Sequence, residues 1–507
     1  DKNRIDKNRI DKNGIDKNGI DKNRIDKNGI ISNKDNKKYK AERQKAQKFT
    51  MNDQNTQTRS GDNAIITGVI WKQLMIFFFP LLAGTFFQFL YNTVDAIVVG
   101  QFVGKEALSA VGGAPATLIN VYIGIFTGIS TGASVIVAQF CGAGRKAEVS
   151  KTVHTSMAIA LIGGVILTVV MFFFSGIMLR AMSTPDELMA QSVLYMQIFA
   201  LGMIGNMVYN FCAAILRGAG NSRQPFYFLV AGTLTNIVLD LVMVAVLGWG
   251  VAGAAWATII SQYVSAIAAV VYLVNIKGDY LHLDLRRIRI DRDIFRKIMV
   301  IGIPSALRSL MYSMTNVVIQ AAINGFGTDT VAAWTVWGKI DALFWMIINS
   351  LGVAVTTFIG QNYGAGKYAR VRKCLRQALF ITTLFTLVMI MVFVTFGDTL
   401  IRIFTNDAGV ITIATAILDF MAPTFITYIC IEIFASALQG MGDVLVPTII
   451  TIVGVCVIRI AWLYTVVPLV HTLNSVMFSY PISWIISSAA FVIYYLWFIK
   501  KRKMTIR

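Results

Sequence analysis

The chain of 507 residues has few of the groups from which metal sites, disulfide frameworks and nucleophilic enzyme sites are built. It contains five cysteines, none of them at the spacing of a metal site or a disulfide pair. Its three histidines, His154, His282 and His471, stand far apart. No GxxxxGK[ST] phosphate-binding loop occurs. These shortages argue against a metal site, ATP coupling and a membrane enzyme that uses a His/acid set.

Charge is scarce as well. Only 14% of the residues are charged, 56% are hydrophobic and the mean hydropathy is +0.63, whereas about 25% of a typical soluble domain is charged. Apolar runs of about 20 residues, the length that crosses a bilayer core, recur from residue 70 to residue 500. Helices are the simple way to satisfy the backbone in lipid. The composition therefore predicts an all-α polytopic membrane protein in contact with the lipid bilayer.

Hydropathy predicts about 12 transmembrane helices. Their approximate limits are residues 70–98, 109–138, 152–178, 189–216, 225–247, 252–274, 297–323, 332–360, 375–398, 409–438, 445–468 and 475–498.

The formal net charge of +19 is concentrated in short loops and tails. Loops after odd-numbered spans carry little charge, whereas those after even-numbered spans are basic, except the loop after span ten, which carries only Asp443. This is the positive-inside pattern of a bacterial cytoplasmic (inner) membrane protein with both termini in the cytoplasm, and it is not a nucleic-acid patch. The basic loop residues are Arg145, Lys146, Lys151, Arg217, Arg223, Lys277, Arg286, Arg287, Arg289, Arg292, Arg296, Lys297, Lys367, Arg370, Arg372, Lys373 and Arg376.

The N-terminal tail, residues 1–62, begins with six copies of a pentapeptide, DKNRI or DKNGI. A period of five matches neither a helix face nor a strand face, so we expect disorder. We also expect Met51 to be the biological start, with a cytoplasmic interaction arm as the alternative role of the tail. A chain that starts at Met51 should insert and transport normally. Loss of membrane insertion or of efflux on removal of residues 1–50 would contradict this expectation.

The chain repeats itself. "QFCGAG" at 139–144 recurs as "QNYGAG" at 361–366, and "LRGAGNSRQP" at 216–225 recurs as "LQGMGDVLVP" at 438–447, each shifted by 222 positions. Six spans per half return the chain to its starting side, so the halves share one orientation, as in parallel-repeat transporters. We divide the chain into an N-terminal six-helix bundle (63–274), a basic cytoplasmic linker (275–296) and a C-terminal six-helix bundle with a basic tail (297–507).

Three stretches resemble the multidrug and toxin extrusion (MATE) exporters: "NTVDAIVVGQFVGKEALSAVG" in and after the first span, "LRGAGNSRQP" before the fifth, and "TTFIGQNYGAG" at the end of the eighth. The resemblance covers roughly residues 65–500. It implies two pseudo-symmetric six-helix bundles in a V-shaped fold around a central cleft. It also implies a monomeric transporter that exchanges cationic or amphipathic drugs and toxins for H⁺ or Na⁺ by alternating access. Such a protein is not an enzyme and has no cofactor.

The DinF-like prokaryotic branch of the family implies a cation-coupling site in the N-terminal bundle. No fixed metal site is expected, although Na⁺ can be bound at Asp95, Asn236 and Asp240. The other branch is marked by acids in spans seven and ten. Span seven here has none, but Glu432 in span ten and Asp341 in span eight leave a contribution of the second half open. The coupling residues carried over are Asp95, Asn236, Asp240 and Thr258, and the substrate-cleft candidates are Gln88, Asn206, Asn210, Asp341 and Glu432.

The residues themselves support the same site. Asp240 lies inside the apolar stretch "TLTNIVLDLVMVAV", where an ionised side chain costs about 2.5–3.5 kcal/mol on insertion scales. Asn236 stands one helical turn before it, on the same face. The structural alternative is a neutral Asp240 in a hydrogen bond with Asn236. Asp95, close to a helix end, has the alternative of capping that helix or reaching the interface.

Other polar residues have simpler expected roles. We expect the intramembrane Arg308 and Arg459 to pair with acids, and Asp341 to lie near the outer end of its span in a pair or in solvent. The repeated glycines after the even spans are expected in helix-end turns rather than in a phosphate cradle, because no P-loop Lys-Ser/Thr follows. Those glycines are Gly142, Gly144, Gly364 and Gly366.

Two other functions compete with drug export. A lipid-linked saccharide flippase of the same wider superfamily would keep the fold and would have lateral access and a basic cavity. A membrane enzyme would need a convergent nucleophile, which the sequence does not offer. The sequence favours an antiporter, because the intramembrane acids argue against a basic cavity and the two-half repeat is typical of transporters.

Overall fold

The structure, a computed structural model, describes residues 64–276 and 280–502. The predictions for the repeat-containing tail, including the start at Met51, lie outside the described residues. The chain divides into two units, Asp1–Thr67 and Gly68–Arg507. In the first unit only the short helix α1 (Ala64–Thr67) is described; all other elements belong to the second.

No strand occurs among the described residues. The remaining α-helices are α2 (Ile70–Phe102), α3 (Lys105–Gly112), α4 (Ala114–Gly142), α5 (Lys146–Ala181), α6 (Asp186–Leu201), α7 (Met203–Gly218), α8 (Arg223–Asp240), α9 (Gly250–Asn275), α10 (Arg292–Asn324), α11 (Thr328–Gly364), α12 (Tyr368–Arg402), α13 (Ala408–Thr424), α14 (Ile429–Gly440), α15 (Leu445–Thr451), α16 (Ile458–Thr465), α17 (Val467–Val470) and α18 (Leu473–Lys501). π-Helical turns at Leu241–Val246 and Ile452–Val457 continue α8 and α15, and 3₁₀ turns occur at Leu285–Arg287 and Phe425–Thr427.

The predicted membrane spans are confirmed. Within the described residues, 11 helical segments are long and apolar enough to cross a bilayer, and α6 with α7, bent by 48°, forms the twelfth. Helices α5, α11 and α12 extend beyond the predicted limits at both ends, because their ends are more polar than their apolar cores. The fold is the expected one of two pseudo-symmetric six-helix bundles, one from each half of the chain.

Small residues let the halves approach closely. A side chain at Gly128 of α4 would meet the backbone of Ala306 in α10, and one at Gly132 would meet the backbone of Ile298. Small residues at such crossings allow close van der Waals packing where lipid removes the usual hydrophobic driving force. Helix α4 of the first half is therefore packed directly against α10 of the second.

The repeated motifs form a reciprocal contact between the halves, here called the glutamine clasp. The Gln139 side-chain amide donates to the Gly440 carbonyl at 2.9 Å, and the Gln361 amide donates to the Gly218 carbonyl at 2.8 Å. Both donors and both acceptors are related by the 222-residue shift. The clasp residues are Gln139, Gly142, Gly218, Gln361, Gly364 and Gly440.

The clasp requires glycines because the backbones of the two halves come too close for a side chain. The missing Cβ of Gly142 points at the backbone of Gln361, and that of Gly364 points at the backbone of Gln139. The following glycines, Gly144 and Gly366, have φ of +69° and +70°, a conformation that glycine adopts without steric cost. The predicted helix-end turns are thus confirmed, and the first glycine of each motif has the added role of joining the halves.

Between α9 and α10 the described part of the basic linker is held against α5. The Asp284 backbone N–H donates to His154 Nε2 at 3.2 Å, and the Asp291 carboxylate lies 3.6 Å from Lys151 Nζ. Asp291 also caps α10, accepting from the backbone N–H groups of Asp293 and Ile294. The backbone N–H of Ile294, with help from Lys151, lowers the pKa of Asp291. His154 therefore joins the linker to α5.

Candidate cation-coupling site and adjoining cavities

The four residues predicted to couple cations come together from three helices. Asp95 on α2 is 9% exposed, Asn236 and Asp240 on α8 are 0% exposed, and Thr258 on α9 is 1% exposed. The carboxyls of Asp95 and Asp240 lie within electrostatic reach of each other. Two acids are thus brought together inside a membrane-spanning bundle, with neutral oxygen donors beside them.

Several buried polar atoms of this site form no hydrogen bond with the described residues. Asn236 lies close to the Asp240 carboxyl. Yet both side-chain atoms of Asn236 and both carboxyl oxygens of Asp240 have no hydrogen-bond partner among the described residues. The structural interpretation, a neutral Asp240 hydrogen bonded to Asn236, stays a prediction, because the two side chains are close but do not form a well-aligned hydrogen bond. Buried polar groups without partners are rare and costly, which indicates a site that a ligand completes.

Asp95 does not cap its helix. Helix α2 continues past it to Phe102, and the N-terminal end of the helix is at Ile70. Its Oδ1 atom is buried and has no hydrogen-bond partner among the described residues. The capping and interface-reaching alternatives are wrong, because this carboxyl is held in the interior of the bundle.

Two tyrosines complete the surroundings of the acids and were not found from the sequence. The Tyr91 hydroxyl donates to Thr258 Oγ1 at 3.4 Å, and Thr258 in turn donates to the Ala254 carbonyl at 2.9 Å. Tyr195 on α6 lies within electrostatic reach of both acids. The spacing of Tyr91 and Asp95, one helical turn apart, is the signal that points to Tyr91; Tyr195 gives none.

The helix that carries Asn236 and Asp240 changes its geometry at the site. Regular α-helix ends at Asp240, and a π-helical turn begins at Leu241. Single π turns inside α-helices are uncommon and frequently lie at functional sites, because the wider turn shifts the register of the side chains and loosens the local hydrogen bonding. The Asp240 carboxyl is therefore placed where α8 is least regular.

The donor set matches a hard monovalent cation or a proton. It offers carboxylate, amide and hydroxyl oxygens, the donor types that hard cations prefer. Two adjacent carboxylates in a medium of low dielectric constant repel each other, and one bound H⁺ or Na⁺ removes half of their charge. No group of three or more His, Cys, Asp or Glu side chains suited to a metal ion occurs in the part of the chain that the structure describes.

A cavity of about 320 Å³, the first-half cavity, adjoins this site. Its lining includes the predicted cleft residues Gln88, Asn206 and Asn210, and it also includes Tyr91. The Asn210 amide donates to Asn206 Oδ1 at 2.6 Å. Tyr91 therefore stands both on the wall of the cavity and within electrostatic reach of the acids.

A second and larger cavity of about 640 Å³, the second-half cavity, contains the other two cleft candidates, Asp341 and Glu432. The two cavities share Thr85 and Asn349 in their linings and so adjoin each other. All five predicted cleft residues thus line one of two neighbouring cavities. The second-half cavity holds two acids and two arginines, a mixed lining rather than the basic one expected of a flippase.

The acids of the second-half cavity are only partly satisfied. Asp341 accepts from Trp345 Nε1 at 2.7 Å through one oxygen, while its buried Oδ1 has no partner among the described residues. Glu432 accepts at 3.3 Å from both Tyr428 and Ser436. The structure places Asp341 on the wall of the second-half cavity, 13 residues after the start of α11 at Thr328, and its position near the outer end of the span stays a prediction.

The prediction that the two intramembrane arginines pair with acids is wrong for Arg459, whereas Arg308 interacts electrostatically with Glu432 without forming an ion pair. Neither Arg308 nor Arg459 forms an ion pair with an acid among the described residues. Arg308 lies within electrostatic reach of Glu432 but not in contact with it. Arg459 instead packs its guanidinium over the ring of Tyr480, 4.0 Å from the ring centre. The prediction assumed that each arginine would contact an acid. In the structure, the faces of aromatic rings instead stabilise part of the positive charge of Arg459.

A row of aromatic side chains on α11 was also not predicted from the sequence. Trp334, Trp337, Asp341 and Trp345 follow one another at spacings of three and four residues, which places them on one face of α11. Trp334 and Trp337 have ring centres 4.4 Å apart. This periodic run of tryptophan around an acid was a readable signal for a ligand-facing helix surface.

The MatE family model matches residues 80–242 and 304–465, one match in each half. The chain belongs to the MatE family. Both matches begin at the proline inside the first helix of the half, Pro80 and Pro304. The internal repeat read from the sequence is therefore a repeat of the MatE unit.

Curated relatives extend over most of this MatE chain. It is 26% identical over 451 residues to the probable multidrug resistance protein YoeA of Bacillus subtilis, covering 86% of this chain and 96% of the relative. It is 26% identical to the probable multidrug resistance protein NorM of Thermotoga maritima, covering 77% and 84%. It is 23% identical to the multidrug export protein MepA of Staphylococcus saprophyticus, covering 77% and 86%.

Solved structures show the same fold. A transporter of the MOP superfamily from Pyrococcus furiosus, described as having a binding pocket of reverse polarity, superposes with a TM-score of 0.82 at 25% identity, covering 88% of this MatE chain and 99% of that one. A multidrug resistance MATE transporter in an outward-facing conformation superposes with a TM-score of 0.81 at 25% identity, covering 87% and 98%. The 12-helix arrangement is therefore that of the family.

Proposed function

We propose that this MatE protein is a secondary active antiporter. It exports cationic or amphipathic compounds, such as drugs and toxins, in exchange for H⁺ or Na⁺. The observation that carries the proposal is the pair of buried acids, Asp95 and Asp240, whose carboxyl groups have oxygens without a hydrogen-bond partner among the described residues and lie beside the first-half cavity. The relatives named as multidrug resistance and export proteins support the substrate class.

In the proposed cycle, ion and substrate compete through the charge of the site. With both acids ionised, the N-terminal bundle carries uncompensated negative charge, which favours a cationic substrate in the adjoining cavity. Binding of H⁺ or Na⁺ at Asp95 and Asp240, with Asn236 and Thr258 as neutral donors, removes that charge and lets the helices repack. The substrate is then released outward, and discharge of the ion inward resets the transporter. The ions shift a two-state population because they bind one state better than the other.

The proposal is tested by efflux of ethidium, an aromatic cation, from vesicles that contain the purified protein. Proton and Na⁺ gradients are imposed separately. We expect one of the two gradients, without the other and without ATP, to drive export. Export that depends on neither gradient would contradict ion coupling, and export that requires ATP would contradict secondary transport.

We further propose that the protein lies in the bacterial cytoplasmic membrane as a monomer, binding small molecules and lipid but no nucleic acid and catalysing no reaction. Both termini then face the cytoplasm, because the basic loops follow the even-numbered spans.

Cysteine labelling tests this orientation. In a background with Cys141→Ser and Cys430→Ser, which removes the two partly exposed cysteines, a cysteine at position 105 should react with a membrane-impermeant maleimide in intact cells. A cysteine at position 289 should react only after the membrane is opened. Labelling of position 289 from outside would overturn the orientation and the alignment of the two halves on the membrane.

A further inference from the structure

The described part of the basic linker, between α9 and α10, exposes aliphatic and cationic side chains together. Leu285 is 56% exposed and Ile290 is 47% exposed. Three exposed arginines, here called the linker arginines, lie beside them in the sequence: Arg286, Arg289 and Arg292. Segments that anchor at a membrane surface combine these two side-chain types, because aliphatic groups enter the acyl boundary while arginines stay among the headgroups. The proposed antiport cycle uses none of these residues.

The contacts of the linker place it at the level of the membrane surface. The Asp284 backbone N–H donates to His154, and the Asp291 backbone N–H donates to Thr155 Oγ1 at 3.1 Å. Both acceptors lie in the third turn of α5, which begins at Lys146, so the linker crosses this helix about 12 Å from its first residue. Hydropathy places the start of the span at residue 152. The linker therefore lies where α5 enters the bilayer.

Hydrogen bonds and burial fix the backbone of the linker. The Leu283 N–H donates to the Leu273 carbonyl in the last turn of α9 at 3.0 Å, and the Leu283 side chain is 0% exposed. The Thr155 hydroxyl donates to the Arg289 carbonyl at 3.4 Å. The exposed side chains thus project from an ordered backbone, which lowers the entropy cost of binding a partner.

The acids of the linker do not neutralise the linker arginines. The Asp284 carboxylate pairs with Arg287 at 3.1 Å, and that of Asp291 pairs with Lys151 at 3.6 Å. None of the linker arginines forms an ion pair among the described residues. Of the linker acids that the structure describes, only Asp293 is left to offset their three charges. The remaining charge is positive and complements the phosphates of anionic lipids.

We propose that the linker is a docking surface for anionic phospholipids of the leaflet beside it. The linker arginines bind the lipid phosphates, and Leu285 and Ile290 enter the acyl boundary beneath them. An acidic protein in the aqueous phase would satisfy the arginines but would leave both aliphatic side chains in water, whereas a lipid surface accommodates both. Bound lipid then ties the junction between the two halves to the membrane surface. This proposal does not depend on the proposed antiport.

A depth measurement on the full-length protein tests the aliphatic contact. In the background with Cys141→Ser and Cys430→Ser, which leaves only buried cysteines, Ile290→Cys carries a nitroxide in vesicles of equal parts phosphatidylcholine and phosphatidylglycerol. We expect this nitroxide to collide mainly with O₂, which concentrates in lipid. The control is Ala147→Cys at an exposed position in the first turn of α5, where a water-soluble nickel complex should dominate. Equal access of the nickel complex to positions 290 and 147 would overturn the proposal.

Lipid selectivity tests the charged contact. Native mass spectrometry of the purified full-length protein gives the affinities for phosphatidylglycerol and phosphatidylcholine. We expect the wild type to prefer phosphatidylglycerol roughly tenfold, and the triple variant of the linker arginines to lose most of this preference, because lipid phosphates attract each arginine. That variant is Arg286→Gln, Arg289→Gln and Arg292→Gln.

A second triple variant is the matched control for charge. It removes three exposed basic residues from other loops after even-numbered spans and should keep the wild-type preference; its changes are Lys146→Gln, Lys373→Gln and Arg376→Gln. Equal preferences in the wild type and the linker variant would overturn the proposal. If the linker arginines set the preference but the nitroxide at position 290 stays in water, docking onto the bilayer is also wrong. Neither measurement reads export, so failure of the antiport leaves both results unchanged.

Discussion

Asp240→Asn should fold and insert normally but lose nearly all gradient-driven export. Asparagine keeps the size of the side chain and one hydrogen-bonding oxygen, while it removes the charge that H⁺ or Na⁺ neutralises. Since both Asp240 oxygens lack partners in the described structure, no hydrogen bond is lost that would destabilise the bundle. The measurement is ethidium efflux per folded molecule in vesicles under each imposed gradient.

Two further variants serve as comparisons for Asp240→Asn. Asp95→Asn should give a similar but weaker defect, because Asp95 is slightly more exposed than Asp240. Asp398→Asn removes an acid that is exposed and paired with Arg402, and it should transport at the wild-type rate. Wild-type rates in a well-inserted Asp240→Asn protein under every gradient would contradict coupling in the N-terminal bundle and would direct attention to Glu432 and Asp341.

Gly142→Val and Gly364→Val should each strongly destabilise the protein. The new side chain would fall on the backbone of the opposite motif, at Gln361 or Gln139, and a rigid backbone cannot move aside as a flexible side chain can. Overpacking of a well-packed interior typically costs about 1–3 kcal/mol, and sometimes more. We expect a lower thermal-unfolding temperature in detergent and a smaller yield of folded protein for both variants.

Gly176→Val is the matched control for the clasp glycines. Gly176 also lies inside a membrane-spanning helix, α5, but its nearest neighbour is a methyl group of Val193, which a Cβ would approach to 3.9 Å. The control should unfold near the wild-type temperature. Equal stability of Gly142→Val and Gly176→Val would show that the halves do not meet closely at the repeated motif.

The sequence predicts the spans well, because hydropathy is a sum over about 20 residues and single exceptions do not change it. It also finds Asn236 and Asp240 on one helix face, because a spacing of four fixes their relation. The repeat reveals that the two motifs are equivalent. It does not reveal that they touch each other, since a contact between residues 222 positions apart depends on the packing of whole helices.

Contacts across helices explain the remaining errors. Tyr195 reaches the acids from α6, and no local pattern connects it with Asp95. Arg459 is paired with an aromatic ring instead of an acid because Tyr480 on α18 covers it. Charge signs alone predict attraction between arginines and carboxyls, but the helix backbones decide which groups can meet.

Competition between ion and substrate is tested most directly by the affinity of the purified protein for ethidium, measured by fluorescence anisotropy as pH is lowered and, separately, as Na⁺ is added. We predict that one of the two ions weakens ethidium binding by the wild-type protein, and that a variant with both Asp95→Asn and Asp240→Asn has lost this dependence. The same ion dependence in the double variant, or none in the wild type, would contradict coupling through Asp95 and Asp240.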